Sequence, residues 1–243
     1  MPNPYLDWIV YQKLCQGEIK LPSTMAKRLT CQYLTGEHPF LRYAAIKMEY
    51  LYRDPDIVMY YDVLTGGVKP ANFRISKYGA LSDKASPTVA QVSRRVSAFT
   101  NFDMSSAEPL QVVNYGIGGH YTPHYDYYRP NEESITDEDG DRIATVLFYM
   151  SDVAQGGATV FLDIGVSVFP VKGAALVWMN LHRSGEGDLA TRHAACPVLL
   201  GSKWAGNKWL HESGQEFLRP CGLEYQSADM HLKLPRNVPT TIS

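Results

Sequence analysis

From Leu110 onward the apolar residues come in short runs: LQVVNYG, RIATVLFYM, GGATVFL, VSVFPV, AALVWMN, RHAACPVLL and KWAGNKWLH, separated by glycines, prolines and polar clusters. Runs of this length with frequent turn signals predict short strands of an antiparallel sandwich or jelly roll, not alternating βαβ units. Upstream the period changes. Ser86-Pro87 supplies a cap and a first-turn proline, and Val89, Val92, Val96 and Phe99 recur at helical spacing, so an amphipathic helix is expected to lay one face over a sheet. The stretch from Tyr5 to Leu14 is rich in apolar residues, and a second segment opens at Pro22-Ser23 before MAKRLTCQYL; both read as helical. The expected organisation is a helical appendage over residues 1–50, a mainly β domain with flanking helices over 51–225, and a polar tail over 226–243.

Composition narrows the partners. A chain of 243 residues with 45% hydrophobic residues can bury a substantial core. Its net charge of −2 supplies no broad basic field, which argues against nucleic acid as a partner. No apolar run reaches the roughly 18 residues that span a bilayer, so no membrane segment is expected. The opening MPNPYLDWIVYQ has no charged region followed by an apolar one, hence no visible signal peptide. The four cysteines, Cys15, Cys31, Cys196 and Cys221, show no CxxC pattern. Their spacing suits two short-range disulfides in an oxidising compartment, and it suits four buried thiols in a reducing one equally well.

The densest chemistry lies in HYTPHYDYYRP, residues His120 to Pro130. On a helix His120 and His124 would share a face, but Gly118-Gly119 before them and Pro123 between them disfavour a helix. In a strand, residues two apart point to the same side, so His124 and Asp126 would offer one imidazole and one carboxylate to a single ion. His193 begins a later strand, and a sandwich can bring it alongside. Two histidines and one carboxylate on one face form the facial triad of non-heme iron sites, although zinc accepts the same ligands. Lys203 favours iron with an anionic cosubstrate, since a lysine facing a dry interior is costly unless an anion meets it. Its parity matches Trp209 and His211, so a regular strand would turn all three into one cavity. The acidic stretch NEESITDEDGD misses the glycine and glutamate positions of a calcium loop and reads as a solvated loop.

The spacing His124-x-Asp126, His193, Lys203, with RIATVLFYMSDVAQGGATVF between and NKWLHESGQEFLRPC after, resembles the catalytic domain of the collagen prolyl 4-hydroxylase α subunit. The likeness runs nearly unbroken from about Glu108 to Cys221. It implies a double-stranded β-helix (jelly roll) core, with His124, Asp126 and His193 holding Fe(II), and 2-oxoglutarate and L-ascorbate as further cofactors. The implied reaction hydroxylates C4 of a peptidyl proline and releases succinate and carbon dioxide. The resemblance further implies that Tyr115 and Thr159 assist Lys203 at the cosubstrate carboxylate. It puts Tyr121, Arg142, Trp209 and His211 near a proline-rich, X-Pro-Gly peptide substrate, whose polyproline II form suits an aromatic groove. A protein disulfide isomerase partner, the endoplasmic reticulum lumen, and the pairs Cys15–Cys31 and Cys196–Cys221 are implied in the same way. On residue type alone Trp209 and His211 would be core residues and Arg142 an ion-pair partner of the acidic loop. Trp178 reads as packing and His120 as a surface histidine; His38, His182 and His231 give no reason to invoke chemistry.

Two departures from the family pattern stand out. The family places a helix and a further strand segment between its first strand, here DIVMYY, and the stretch matching LTGGVKPANFRISK; in this chain the two nearly join at Asp62. Nothing matches the N-terminal dimerisation region or the peptide-binding domain of the family, so the chain is expected to be a catalytic fragment or short form. The alternatives are a related oxygenase acting on lysine or on non-collagen proline, and a non-catalytic scaffold that keeps the fold.

Overall fold

The computed structural model describes residues 4–34, 46–61, 78–128 and 139–222. In chain order the strands are β1 (Cys31–Leu34), β2 (Ile46–Tyr52), β3 (Ile57–Tyr60), β4 (Tyr78–Leu81), β5 (Leu110–Tyr115), β6 (Tyr121–His124), β7 (Arg142–Tyr149), β8 (Gln155–Gly156), β9 (Thr159–Phe161), β10 (Val166–Val168), β11 (Ala175–Met179), β12 (His193–Ala195), β13 (Val198–Leu200) and β14 (Lys203–His211). The helices are α1 (Pro4–Cys15), α2 (Ser23–Ala26) and α3 (Pro87–Thr100). Strands pair antiparallel throughout, in a large sheet of order β1-β2-β3-β11-β7-β14-β5-β4, a smaller one of order β10-β9-β12-β6, and a two-stranded β13-β8 ribbon. This is the expected jelly roll, and it follows from runs too short to be anything but sandwich strands.

The two faces of the large sheet are separated by strand periodicity. Along β11 Ala175, Val177 and Met179 join the cluster under α3, while Leu176 and Trp178 join the cluster between the sheets. All five are buried, which explains why this strand reads as an unbroken apolar run. The predicted helix is α3: Ser86 Oγ accepts from Val89 N–H, and Val89, Val96 and Phe99 pack on Val58, Tyr60, Phe148 and Val177. Burying each large apolar side chain there stabilises the fold by about 1.5–3 kcal/mol.

The N-terminal helix covers the back of the small sheet. Tyr11 and Leu14 of α1 pack on Val160 and Ala194, and Arg192 bridges Asp7 at 3.0 Å and Asp163 at 2.9 Å. The expectation of helix throughout the first fifty residues is corrected here. The second segment forms only the four-residue α2, none of whose residues is buried, so it has no apolar face to be held by. CQYL instead becomes β1, paired with β2 at Cys31↔Glu49, and β2 belongs to the large sheet.

The expected cysteine pairing is also corrected. Cys15 is bonded to Cys196, with Cα atoms 5.6 Å apart and 181 residues between them in sequence, and Cys31 and Cys221 are exposed free thiols. Spacing misled because topology overrides it: the end of α1 abuts the strand end at Ala195, whereas β1 is the outer edge of the other sheet. The segment around Asp62, the acidic loop up to residue 138, His38, His231 and the tail from residue 223 lie outside the described residues. Among the described residues no helix is long and apolar enough to cross a membrane.

Peptide mapping without reduction should recover Cys15 linked to Cys196, while iodoacetamide labels Cys31 and Cys221 in the native protein; a Cys15–Cys31 peptide would contradict the pairing. Cys15→Ser should lower unfolding stability by about 2–4 kcal/mol, read by denaturant titration.

Candidate functional site

The register of two short strands assembles the cluster. In the β12–β6 ladder His193 lies opposite His124, and Asp126 follows two residues after the end of β6. His124 Nε2 is 3.5 Å from Asp126 Oδ1, and His193 Nε2 is 3.7 Å from Asp126 Oδ2. The potential ligand atoms of the three residues all lie within 4.8 Å of one another, and among the described residues this is the cluster that could hold a metal ion. Each imidazole is oriented from behind. His124 Nδ1 is 2.8 Å from Thr122 O and His193 Nδ1 is 2.9 Å from Thr191 O. A carbonyl only accepts, so both Nδ1 atoms carry the proton and both Nε2 lone pairs face the centre.

Protonation suits cation binding. Burial pushes the His193 imidazole down to about 4, so it is neutral at pH 7. Burial would raise Asp126, but the His193 and His124 rings and the Thr145 hydroxyl outweigh it and hold the carboxyl well below the usual carboxylate range. A neutral His193 beside an ionised carboxylate is the state in which those two groups ligate a divalent cation. The ring of Trp178 packs edge-on against His193 at 4.8 Å, and Phe161 lies 5.6 Å from the same imidazole. Trp178, expected only to pack, therefore walls the site. Tyr121 is half exposed and stacks on His124 with ring centroids 3.7 Å apart, marking the mouth.

A cavity of about 430 Å³, its open mouth included, runs from these ligands to Lys203. Lys203 is 2% exposed and donates to Gly157 O at 2.7 Å. Its other two ammonium protons have no protein acceptor among the described residues, and no carboxylate comes within ion-pair distance. Tyr115 stands opposite Lys203 across the β14–β5 ladder, and its hydroxyl is likewise unengaged among the described residues. Thr159 Oγ1 accepts from Tyr149 O–H at 2.9 Å, which leaves its own proton free to donate. Three unspent donors thus line the same cavity as the imidazoles. Burial pushes Lys203 down to about 7 and Tyr115 up to about 12.

The expectation that one regular strand turns Lys203, Trp209 and His211 into the cavity is corrected. Trp209 keeps the parity of Lys203 and pairs in register with Thr145, but it lies beyond Asn207, the last residue of the strand to line the cavity; His211 follows a register shift after Leu210 and does not line the cavity either. They form an adjoining cluster with Arg142, whose guanidinium stacks on Trp209 at 4.0 Å and donates to Asp126 O at 3.3 Å. Glu108 ties the cluster together, accepting from Arg142 Nε at 2.5 Å with His211 Nε2 at 3.1 Å. Burial would raise Glu108, but His211 and Arg142 hold it below its ordinary range. Among the described residues the carboxylate that pairs with Arg142 is Glu108. His120 is exposed, with Nδ1 on Gly118 O, and His182 is buried 3.6 Å from Asp188. Sequence reasoning missed Glu108, Asn207 in the cavity wall, and Thr145 and Asn180 behind Asp126. Only Asn207 left a signal, since its parity matches Lys203.

Comparison with known proteins bears on the same residues. Residues 110–211 match the 2OG-Fe(II) oxygenase superfamily. Over 242 residues, 88% of this chain and 45% of the relative, the chain is 48% identical to prolyl 4-hydroxylase subunit alpha-2 of Caenorhabditis elegans. With the same coverage it is 45% identical to prolyl 4-hydroxylase subunit alpha-1 of Homo sapiens. The chain spans a little under half the length of these curated relatives. A solved structure of a viral collagen prolyl hydroxylase, vCPH from Paramecium Bursaria Chlorella virus-1, aligns over 55% of this chain and 78% of its own at 23% identity and a TM-score of 0.49.

The lowered Lys203 has a sign that can be checked. With a folded value near 7 against about 10.5 unfolded, the unfolded chain binds more protons between those values, so ligand-free stability should rise as pH rises from about 7 towards 10.5. Lys203→Met should flatten that slope and raise stability at pH 7, because it removes a buried charge without a counter-ion. Thermal melts across this pH range check both; a destabilised Lys203→Met protein with the slope intact would contradict the assignment.

Proposed function

Because residues 110–211 of this chain form a 2OG-Fe(II) oxygenase domain, we propose that the chain is the catalytic part of a prolyl 4-hydroxylase acting on proline-rich peptides. The observation that carries the reading is a single cavity with a His-Asp-His cluster at one end and an unpaired, buried lysine at the other. The donor set fits ferrous iron: two imidazoles and one carboxylate leave positions open for a chelating cosubstrate and oxygen. When bound, iron with 2-oxoglutarate and oxygen supplies the oxidising chemistry that hydroxylates an unactivated C–H and releases succinate and carbon dioxide.

The chain's own residues supply position and exclusion. His124, Asp126 and His193 hold the ion. Lys203, Tyr115 and Thr159 hold the far carboxylate of 2-oxoglutarate, where a buried acid needs several donors. An acid seated there restores the Lys203 counter-charge, so binding keeps the ammonium protonated at neutral pH. Phe161 and Trp178 keep the ligand side dry and deny water to the reacting centre. Tyr121 meets the peptide at the mouth. Arg142, braced by Trp209, Glu108 and His211, shapes the flank on which the proline rests, so the last two act through the guanidinium and not by lining the cavity.

Wider parts of the proposal rest on the relatives. They are named as alpha subunits, which supports a second subunit, in our reading a protein disulfide isomerase. We read the endoplasmic reticulum lumen as the compartment, one in which the Cys15–Cys196 bond would persist. L-ascorbate is the expected reductant for keeping the metal ferrous.

Incubation with Fe(II), labelled 2-oxoglutarate, ascorbate and a Pro-Pro-Gly repeat peptide should release carbon dioxide in step with hydroxyproline. Release without hydroxyproline would keep the oxygenase and reject the substrate. His193→Ala should abolish both products and iron retention. Lys203→Ala should raise the KM for 2-oxoglutarate far more than that for peptide, since a charge-assisted bond of about 1.5–3 kcal/mol is lost; equal effects on the two would contradict its role.

A further inference from the structure

Behind the carboxylate of Asp126 runs a chain of hydrogen bonds that the spacing of the ligands does not require. Thr145, on β7, donates its hydroxyl to Asp126 Oδ2 at 2.7 Å, and Asn180, just past the end of β11, donates its amide Nδ2 to Thr145 Oγ1 at 2.9 Å. Thr145 is 1% exposed and Asn180 fully buried. Thr145 lies on the large sheet and Asn180 directly follows its strand β11, whereas both candidate imidazoles lie on the small sheet.

We propose that Thr145 and Asn180 are paired positioning residues that hold the Asp126 carboxylate in its ligating orientation. The inference rests on the reading that His124, Asp126 and His193 bind a divalent metal. Its logic is proton accounting. An ionised carboxylate only accepts, so the one hydroxyl proton of Thr145 goes to Asp126 Oδ2. Thr145 Oγ1 is then left as an acceptor towards Asn180, which forces the amide to present its NH₂ group. With the amide in place the hydroxyl cannot rotate without facing donor to donor, so the rotor is locked onto Asp126.

The fold bears a cost for this arrangement. Asn180 Oδ1 is buried without a hydrogen-bond partner among the described residues, a state that native interiors avoid and that an apolar residue would relieve. The main chain at Asn180 reaches towards the other side of the cluster as well. Asn180 O accepts from Asp188 N at 2.8 Å, Asp188 O accepts from Thr191 Oγ1 at 2.7 Å, and Thr191 O holds His193 Nδ1 at 2.9 Å. The residue that locks the carboxylate is therefore also pinned by the loop that delivers the second imidazole.

The test is titration of the metal-free protein with Co(II), followed by visible absorbance and by calorimetry, with melting of each metal-free variant alongside. Wild type should bind one Co(II) and His193→Ala none; failure at that step overturns the metal reading itself. Given binding, Thr145→Val and Asn180→Leu should each weaken affinity about 10- to 100-fold, and Thr145→Ser should restore it. The double variant should be no weaker than Thr145→Val alone, because Asn180 acts through that hydroxyl. Wild-type affinity in Thr145→Val, or independent multiplication of the two losses, would overturn the inference and leave the metal site standing. If Asn180→Leu does not fold, Asn180→Ala takes its place; loss of the fold in both, with Thr145→Val folded, makes the amide purely structural and the proposal fails.

Discussion

The site depends on one cross-strand pair. Because His193 sits opposite His124 in the small sheet, their ring centroids come within 4.4 Å, and a carboxylate two residues further along completes the cluster. A slip of one residue in that ladder would turn His193 to the other face and dissolve the site, since side chains alternate across a strand. Much of the remaining architecture fixes this register. The α1 helix packs on Val160 and Ala194, Arg192 joins two acidic residues beside His193, and Cys15–Cys196 closes the far end of the same strand region.

Charge is distributed along the cavity with the same economy. The imidazole side presents ring nitrogens and one carboxylate, while Lys203, Tyr115 and Thr159 present an amine and two hydroxyl donors. A linear dicarboxylic 2-oxo acid matches that polarity, chelating at one end and accepting hydrogen bonds at the other. The lysine carries the larger electrostatic cost, because nothing in the described protein answers it. Ground-state stability is given up where a ligand will later restore it, a common arrangement at sites built for binding.

How far this was legible in the sequence varied with the kind of information. The jelly roll could be read because its strands are short apolar runs punctuated by glycine and proline, and α3 because its cap and its valine spacing agree. His124, Asp126, His193 and Lys203 stood out as polar groups at the edges of apolar runs. What failed was information carried by topology. Cys15 finds Cys196 because α1 lies on the small sheet. CQYL becomes an edge strand because α2 has no apolar face. The cavity ends at Asn207, short of Trp209 in the Lys203 row, and a register shift between Leu210 and His211 comes before His211. Glu108, Thr145 and Asn180 had no signal, since one side chain hydrogen-bonding another across strands leaves no periodic trace in a single sequence.

The central claim is that one cavity binds a metal ion and a dicarboxylate jointly, from opposite ends. Anaerobic calorimetric titration of 2-oxoglutarate into the protein, once with Mn(II) bound and once metal-free, tests it most directly. The expected result is one-to-one binding that is strong with metal and weakens at least tenfold without it, a loss of about 1.4 kcal/mol or more. Equal affinity in the two titrations, or no binding in either, would contradict it.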